Sequence, residues 1–182
     1  MWDLIIKSFY LVLPAYLANM SPVIFAKLKL FKFLARPIDG GKKMSGADIF
    51  GSSKTWRGLL AGVILGVLVA SLQAGLYNYD FFYNLSLFNY QVNFLIFGFL
   101  AGLGAILGDL IKSFFKRRIG IKSGGSWPIF DQLDFIVGFF IFTYLIYQPP
   151  IQIVATVLMM TLILHPVTNI IGYLTGFKKV WW

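Results

Sequence analysis

Three aspartates and five intervening cations form the part of this sequence whose residue types are best suited to chemistry. The aspartates are Asp109, Asp131 and Asp134, and the cations between them are Lys112, Lys116, Arg117, Arg118 and Lys122. Carboxylate oxygens are hard ligands that suit Mg²⁺ when phosphates share the ion, and Lys and Arg suit phosphoryl oxygens. The segment therefore predicts an active site for a phosphorylated substrate, with the three aspartates as a Mg²⁺ centre and Lys116 beside them as a catalytic residue.

Further cations are candidates for binding substrate phosphates. Lys116, Arg117 and Lys122 are predicted to do so, and the glycines of the following segment 123–126 let backbone amides approach an anion closely. Lys54 and Arg57 occur in a segment that superficially resembles a P-loop. Because Ser53 rather than Gly precedes the Lys and an apolar span follows, the sequence does not favour a Walker A site. Two uses stay open for this pair, namely phosphate binding and anchoring of the following span.

Three polar residues lie inside apolar segments. His165 precedes Pro166, and Asn169 follows one helical turn later. A lone histidine is more often a packed, hydrogen-bonded residue than a base, and this interpretation is favoured here. Asn19 in the first apolar segment is a candidate substrate-binding residue that would line the same cavity as His165. Simple packing is the alternative.

The composition of the chain defines its broad class. Of 182 residues, 58% are hydrophobic and 13% are charged, against about 25% charged residues in soluble domains, and the mean hydropathy is +0.77. The chain is therefore predicted to be a polytopic membrane protein. The absence of cysteine excludes disulfides, thiol catalysis and zinc fingers. The net charge of +9 does not indicate a nucleic-acid partner, because the cations lie at the edges of apolar segments.

The apolar segments must position these residues. A helix needs about 20 mostly apolar residues to cross a bilayer, and the sequence predicts an all-α protein with five spans in one domain, 1–182. The spans are placed at about 4–25, 58–77, 93–112, 133–148 and 151–175, with loops at about 26–57 and 113–132. The first segment is interpreted as a retained span rather than a cleaved signal peptide, since no clear cleavage site follows it.

The distribution of cations predicts the orientation. Of the 16 Lys and Arg residues, 15 fall on the side of the two predicted loops and the C-terminus, and Lys7 alone falls on the other. By the positive-inside rule, the N-terminus is expected outside and the C-terminus and active site on the cytoplasmic side of the cell membrane. Five tryptophans fall near predicted interfaces, as aromatic anchors do: Trp2, Trp56, Trp127, Trp181 and Trp182.

One pattern is specific enough to indicate a family. Ser113-x-x-Lys116-Arg117-x₄-Lys122-Ser123-x-Gly125, followed by Asp131-x-x-Asp134, resembles the signature of the CTP:phosphatidate cytidylyltransferase (CDP-diacylglycerol synthase) superfamily. Two further motifs, Lys54-Thr55-Trp56-Arg57-Gly58 and His165-Pro166-x-x-Asn169, resemble its archaeal branch, the CDP-archaeol synthases.

This resemblance implies a reaction and extends the substrate site to Ser113 and Gly125. The implied substrates are CTP and an isoprenoid ether lipid, 2,3-bis-O-(geranylgeranyl)-sn-glycerol 1-phosphate. The implied products are CDP-archaeol in its unsaturated form and pyrophosphate, with Mg²⁺ as cofactor.

Two other classes of membrane protein are alternatives. A CDP-alcohol phosphotransferase would need an Asp-Gly-x-x-Ala-Arg block before acids spaced by four, whereas Asp131 and Asp134 are spaced by three without that block. A small transporter or assembly subunit with an intramembrane ion site at Asp109 is the non-enzyme alternative, although no inverted repeat is visible. The sequence leaves open whether the chain forms a homodimer.

Overall fold

The computed structural model describes residues 1–178 and 180, and it is a helical bundle. Its helices are α1 (Trp2–Lys27), α2 (Trp56–Leu76), α3 (Asp80–Leu85), α4 (Phe94–Arg118), α5 (Phe130–Thr143) and α6 (Ile151–Leu174). The loop between α1 and α2 contains a 3₁₀ turn, Lys32–Leu34, and the antiparallel strands β1 (Lys43–Met44) and β2 (Ala47–Asp48). The all-α prediction therefore holds for the bundle, with one small hairpin added in this loop.

Four helices are long and apolar enough to cross a membrane, namely α1, α2, α4 and α6. They correspond to the first, second, third and fifth predicted spans. The predicted fourth span, 133–148, needs correction, because α5 begins at Phe130 and ends at Thr143. Its 14 residues extend about 21 Å at 1.5 Å each, which is less than the roughly 30 Å hydrocarbon core. Its length alone does not make α5 a span.

Two segments outside the predicted spans contain helix that the sequence did not predict. The loop predicted at 113–132 is helical up to Arg118, because α4 continues past the apolar segment and ends just before Gly120. Gly120 has φ +81°, a left-handed conformation that commonly terminates helices. The short helix α3 lies in the polar segment between the second and third predicted spans.

The structure describes three of the five tryptophans predicted to lie at membrane interfaces. Trp2 and Trp56 are exposed, as a membrane anchor requires, and Trp127 is half-buried. Trp181, Trp182 and the C-terminal cation Lys179 lie outside the described residues.

Helix α4 is central because glycines let it approach two neighbours closely. On one face, an added Cβ at Gly98 or Gly102 would overlap the backbone of α2. On another, an added Cβ at Gly104 or Gly108 would overlap the backbone of α5, at Gly138 and Asp134. Small residues at such contacts are typical of membrane helices, which associate through close backbone packing. The two contacts fix the register of α2 and α5 against α4.

Aromatic and small apolar side chains fill the remaining core. Phe97 of α4 packs edge-on against Phe139 of α5, and both are fully buried. Helix α6 joins the bundle through a hydrogen bond of 2.8 Å between the hydroxyls of Tyr16 and Thr161. Because α1, α4 and α6 run in one direction and α2 and α5 in the other, the cation-rich ends of all five meet at one end of the bundle.

The α4–α5 contact predicts the effect of a single methyl group. We expect Gly138→Ala to lower the free energy of unfolding by about 2 kcal/mol, because its Cβ would overlap the Gly104 carbonyl. Gly75→Ala is the matched control, since no atom lies within 4 Å of a Cβ added there. Thermal unfolding in detergent measures both variants, and equal melting temperatures would contradict this account of the packing.

Candidate active site

The three predicted aspartates converge on one lysine. The Nζ atom of Lys112 lies 3.1 Å from an oxygen of Asp109, 2.6 Å from one of Asp131 and 2.8 Å from one of Asp134. Asp109 and Lys112 are one turn apart on α4. Asp131 and Asp134 lie at the N-terminal end of α5. The glycine contact between α4 and α5 brings the two sets together.

Two further lysines complete the cluster. Lys54, just before α2, forms an ion pair with Asp109. Lys116 Nζ lies 2.9 Å from both carboxylate oxygens of Asp131 and donates a 2.5 Å hydrogen bond to the Gly125 carbonyl. The cluster thus pairs three carboxylates with three ammonium groups, and the side chains of Lys116 and Asp134 are only 6% and 5% exposed. Burying charges is costly unless they are paired, so this neutral grouping is the form in which the bundle tolerates them.

Polar contacts hold the α1–α2 loop together and join it to α4. Asp39 accepts hydrogen bonds from the backbone N–H groups of Gly41, Phe50 and Gly51, at 2.9, 2.9 and 3.2 Å. Partial burial raises the pKa of Asp39, but these N–H donors outweigh it and hold the pKa below its usual value. The Arg118 guanidinium donates to carbonyls of the hairpin, including that of Met44 at 2.9 Å.

The same loop touches the one that follows α4. A Cβ added at Gly51 would lie 3.1 Å from Ser123 Oγ, and Gly51 itself has φ +100°. Only glycine adopts this conformation readily, so this position allows the close contact between the two loops.

The structure places the predicted phosphate-binding residues in two groups. Ser113 and Arg117 are buried beside Lys116, and Arg117 donates to the Ile121 carbonyl at 2.5 Å. Lys122 is exposed and Arg57 is half-buried. Among the described residues, the Nε atoms of Arg57, Arg117 and Arg118 are buried without a hydrogen-bond partner.

The intramembrane polar residues lie together beside the cluster. Asn169 Nδ2 lies 3.3 Å from His165 Nδ1, and both residues line a cavity with Asn19. The His165 ring packs against Phe135 at 6.0 Å between centroids, as the packed interpretation predicts. Lys178 donates to Asn169 Oδ1 at 2.7 Å.

The acids provide suitable Mg²⁺ donors, but an ammonium group lies between them. Within residues 1–178 and 180, no group of three or more His, Cys, Asp or Glu side chains is arranged to hold a metal ion. Oxygen atoms of three carboxylates nevertheless surround one cationic atom, Lys112 Nζ. This donor set has the chemistry that Mg²⁺ prefers, provided that Lys112 moves aside.

Sequence reasoning missed three residues of this region. The sequence places Lys112 among the intervening cations without a role of its own, although its spacing of three from Asp109 is visible. Arg118 and Lys178 carry no sequence signal for their contacts, because these depend on a loop and a chain reversal that bring distant residues together.

Comparison with solved structures defines the class of protein. A structure described as an intramembrane enzyme for archaeal membrane lipid biosynthesis matches with a TM-score of 0.72 and 32% identity, over 89% of this chain and 92% of that one. The chain is an intramembrane, multi-pass enzyme of that class.

The particular family follows from sequence comparison. A family model described as CarS-like, CDP-archaeol synthase, matches residues 1–182. CDP-archaeol synthase of Methanocaldococcus jannaschii is 35% identical over 100% of this chain and 99% of its own length. That of Methanosarcina barkeri is 40% identical over 94% and 100%, respectively. The chain belongs to the CDP-archaeol synthase family, whose members are cytidylyltransferases of archaeal membrane lipid biosynthesis, and the predicted resemblance is confirmed.

The anchoring of the loop by Asp39 generates a prediction. We expect trypsin to cleave Asp39→Asn at the exposed Lys42 and Lys43 roughly tenfold faster, because an amide weakens charge-assisted hydrogen bonds worth about 1.5 kcal/mol and the loop then unfolds more often. Asp48→Asn, in the same loop, is the control. Timed proteolysis in detergent measures both, and equal cleavage rates would show that Asp39 does not hold the loop.

Proposed function

We propose that the chain transfers the cytidylyl group of CTP to 2,3-bis-O-(geranylgeranyl)-sn-glycerol 1-phosphate. An oxygen of the lipid phosphate attacks the α-phosphorus of CTP and forms a new P–O bond. The bond from the α-phosphorus to the oxygen bridging the β-phosphate breaks, and pyrophosphate leaves with that electron pair. The products are CDP-2,3-bis-O-(geranylgeranyl)-sn-glycerol and pyrophosphate. The observation that best supports this assignment is the convergence of three carboxylates on Lys112 Nζ, beside further cations.

The chemistry of this reaction fits the residues of the site. The lipid phosphate is already anionic at neutral pH, so its attack needs no strong general base. The barrier comes instead from bringing two anions together and from charge on the departing pyrophosphate. Fixed cations in a poorly hydrated site lower such a barrier electrostatically, and the lysines of the cluster are suited to this role.

The cations divide between two proposed tasks. Lys112, Lys116 and Lys54 hold the aspartates in place before substrates bind, and their ammonium groups turn toward phosphoryl oxygens as CTP enters. Arg57 and Arg117 each have a buried guanidinium Nε that is unpartnered among the described residues, and we assign these donors to phosphate oxygens. Lys122 is exposed at the rim and is assigned to drawing CTP in, while Ser113 and Gly125 shape the pocket around Lys116.

Mg²⁺ is the proposed cofactor. Asp109, Asp131 and Asp134 are the residues that would hold it, because their oxygens already surround one cationic atom. The bound ion supplies neutralisation of phosphate charge. The lysines of the cluster position CTP and keep the three carboxylates together.

The proposed topology places the site at the cytoplasmic edge of the cell membrane. Helix α5 runs antiparallel to α4 and, together with the turn that follows it, is proposed as the fourth of five crossings in chain order. The whole chain then forms one domain with its N-terminus outside. This arrangement lets the lipid chains stay in the bilayer while the head group meets soluble CTP.

The role of the aspartates can be tested by charge removal. We expect Asp131→Asn and Asp134→Asn each to lower the rate of CTP-dependent pyrophosphate release roughly 100-fold or more, because charge positioning in the transition state is lost. Both variants should also need more Mg²⁺ for half-maximal rate. The assay uses purified protein with the lipid phosphate in micelles.

The control is Asp80→Asn, since Asp80 begins α3 and is absent from the cluster. Because removing one member of a buried ion pair costs about 3–5 kcal/mol, thermal unfolding must confirm that each variant is folded. Folded Asp131→Asn and Asp134→Asn variants with near-normal rates at low Mg²⁺ would refute the assignment of this site.

The orientation can be tested independently of activity. We expect a reporter fused to the C-terminus to be found on the cytoplasmic side, because the cation-rich end of a membrane protein stays inside. Protease protection in sealed vesicles of known sidedness measures this. A C-terminal reporter on the external face would refute the proposed topology.

A further inference from the structure

The chain directly after α1 interleaves cations with large apolar side chains. Residues 27–38 contain four cations and no acid. Four apolar side chains of this stretch are exposed, namely Leu28 (60%), Leu30 (41%), Phe31 (41%) and Phe33 (71%). A cluster of exposed apolar side chains is unfavourable in water and marks an interaction surface. We call residues 28–36 the basic turn.

Backbone hydrogen bonds keep the basic turn beside the end of α1. The Leu30 N–H donates to the Phe25 carbonyl at 3.0 Å, and the Lys29 N–H donates to the Ala26 carbonyl at 3.2 Å, which are the two bonds of a Schellman helix end. Lys29 and Phe31 have φ +55° and +45°, left-handed values that are uncommon without glycine. The Phe31 ring stacks on that of Phe25, with 6.0 Å between centroids. The turn therefore lies beside the last turn of a helix long and apolar enough to span a membrane, which is the level of a membrane interface.

The composition of the basic turn matches an anionic lipid surface. Lys29, Lys32 and Arg36 are exposed, and clusters of cations immediately next to a membrane span are attracted to acidic head groups. Aromatic and aliphatic side chains between such cations enter the boundary between head groups and acyl chains. A nucleic acid or an acidic protein would match the cations but would leave the apolar side chains in water.

The basic turn is also joined to the charged cluster through the backbone. The Trp56 N–H donates to the Arg36 carbonyl at 3.1 Å, and the Ile38 N–H donates to the Lys54 carbonyl at 2.8 Å. The two segments pair as an antiparallel bridge between these bonds. The Lys54 side chain in turn forms the ion pair with Asp109. A displacement of the turn would therefore move the backbone that carries Lys54.

We propose that the basic turn binds acidic phospholipid head groups of the surrounding membrane, and that this contact holds Lys54 in place beside Asp109. The ligand is a structural lipid, recognised by the charge of its head group and by the apolar region directly beneath it, and it is distinct from the lipid that reacts. The membrane contact stands independently of the proposed function, whereas its effect on the reaction rate rests on that function.

A single label measures where the basic turn lies. The chain contains no cysteine, so Phe33→Cys creates a unique labelling site. Lys43→Cys, at an exposed site of β1 in the same loop, is the matched control. The full chain carries a nitroxide at either site, in nanodiscs of phosphatidylglycerol and phosphatidylcholine in equal parts.

We expect the label at position 33 to collide more with oxygen and less with a water-soluble nickel chelate than the label at position 43. The reason is that the bilayer concentrates oxygen and excludes the chelate. Power saturation of the electron paramagnetic resonance signal measures both collision rates. Equal exposure of the two labels to the chelate would overturn the membrane contact.

Charge removal tests the preference for acidic lipid. Lys29→Gln with Lys32→Gln removes two exposed cations from the basic turn, and Lys42→Gln with Lys43→Gln removes two from the hairpin region of the same loop. The first double variant should raise the Kd for phosphatidylglycerol roughly tenfold or more, since each cation near an acidic lipid surface contributes roughly fivefold. The second should change that Kd by less than about twofold.

Native mass spectrometry of the folded protein with added lipid measures these Kd values. Phosphatidylcholine, which has no net charge, is the comparison. Equal Kd values for phosphatidylglycerol in the two double variants would overturn the lipid site.

Rates of pyrophosphate release separate the membrane contact from the proposed function. At saturating lipid phosphate, wild-type protein should release pyrophosphate from CTP severalfold faster in the mixed nanodiscs than in phosphatidylcholine alone. The double variant of Lys29 and Lys32 should lose this difference, and that of Lys42 and Lys43 should keep it. Phosphatidylglycerol binding without pyrophosphate release in either membrane would refute the proposed function and leave the membrane contact intact.

Two further outcomes would count against the proposal itself. Wild-type release at equal rates in both membranes would overturn the link between the basic turn and Lys54. A raised KM for CTP in the double variant of Lys29 and Lys32, with unchanged affinity for phosphatidylglycerol, would assign these cations to the nucleotide and overturn the lipid site.

Discussion

The close packing of α4 against two neighbours is the constraint on which the charged site depends. Gly98 and Gly102 bring α2 close, and Gly104 and Gly108 bring α5 close, through faces of α4 where a single added Cβ would overlap backbone atoms. Lys54 reaches Asp109 only because α2 has this register, and the acids of α5 reach Lys112 only because α5 does. The geometry of the charged cluster is therefore determined by contacts in the apolar part of the bundle.

Those contacts enforce an unfavourable concentration of charge, and the lysines compensate for it. Three carboxylates within reach of one ammonium group would repel each other strongly in a poorly hydrated site, and Lys54, Lys112 and Lys116 offset that repulsion. The low dielectric that makes burial costly also strengthens every interaction with an incoming phosphate. Under the proposed function, this cost in stability is linked to catalysis, since the same buried groups are prepared for the charges of CTP.

Spacing and polarity predicted much of this arrangement, and contacts between distant segments account for the rest. The apolar segments predicted α1, α2, α4 and α6 closely, and the charges of Asp109, Asp131 and Asp134 identified the cluster. The sequence overestimated α5 because the apolar residues after Thr143 form turns rather than helix. It gave no sign that Lys112 lies at the centre of the acids, because helical spacing relates Lys112 to Asp109 but not to the residues of another helix. Lys178 was assigned only to orientation, since its contact depends on a chain reversal at Gly176.

The proposed reaction explains why so small a set of reactive side chains is sufficient. A nucleophile that is already ionised requires no side chain to take its proton, so neither a cysteine nor a catalytic histidine is needed, and His165 can pack against Phe135. The reaction requires two anions to be held at a fixed separation. One is the phosphate of a lipid in the bilayer, and the other is the triphosphate of CTP in aqueous solution. A bundle meets that requirement by placing fixed charges where helix ends meet, with apolar helices on one side and polar loops on the other. Under the proposed function, the cluster where these helix ends meet serves the phosphate chemistry that both substrates share.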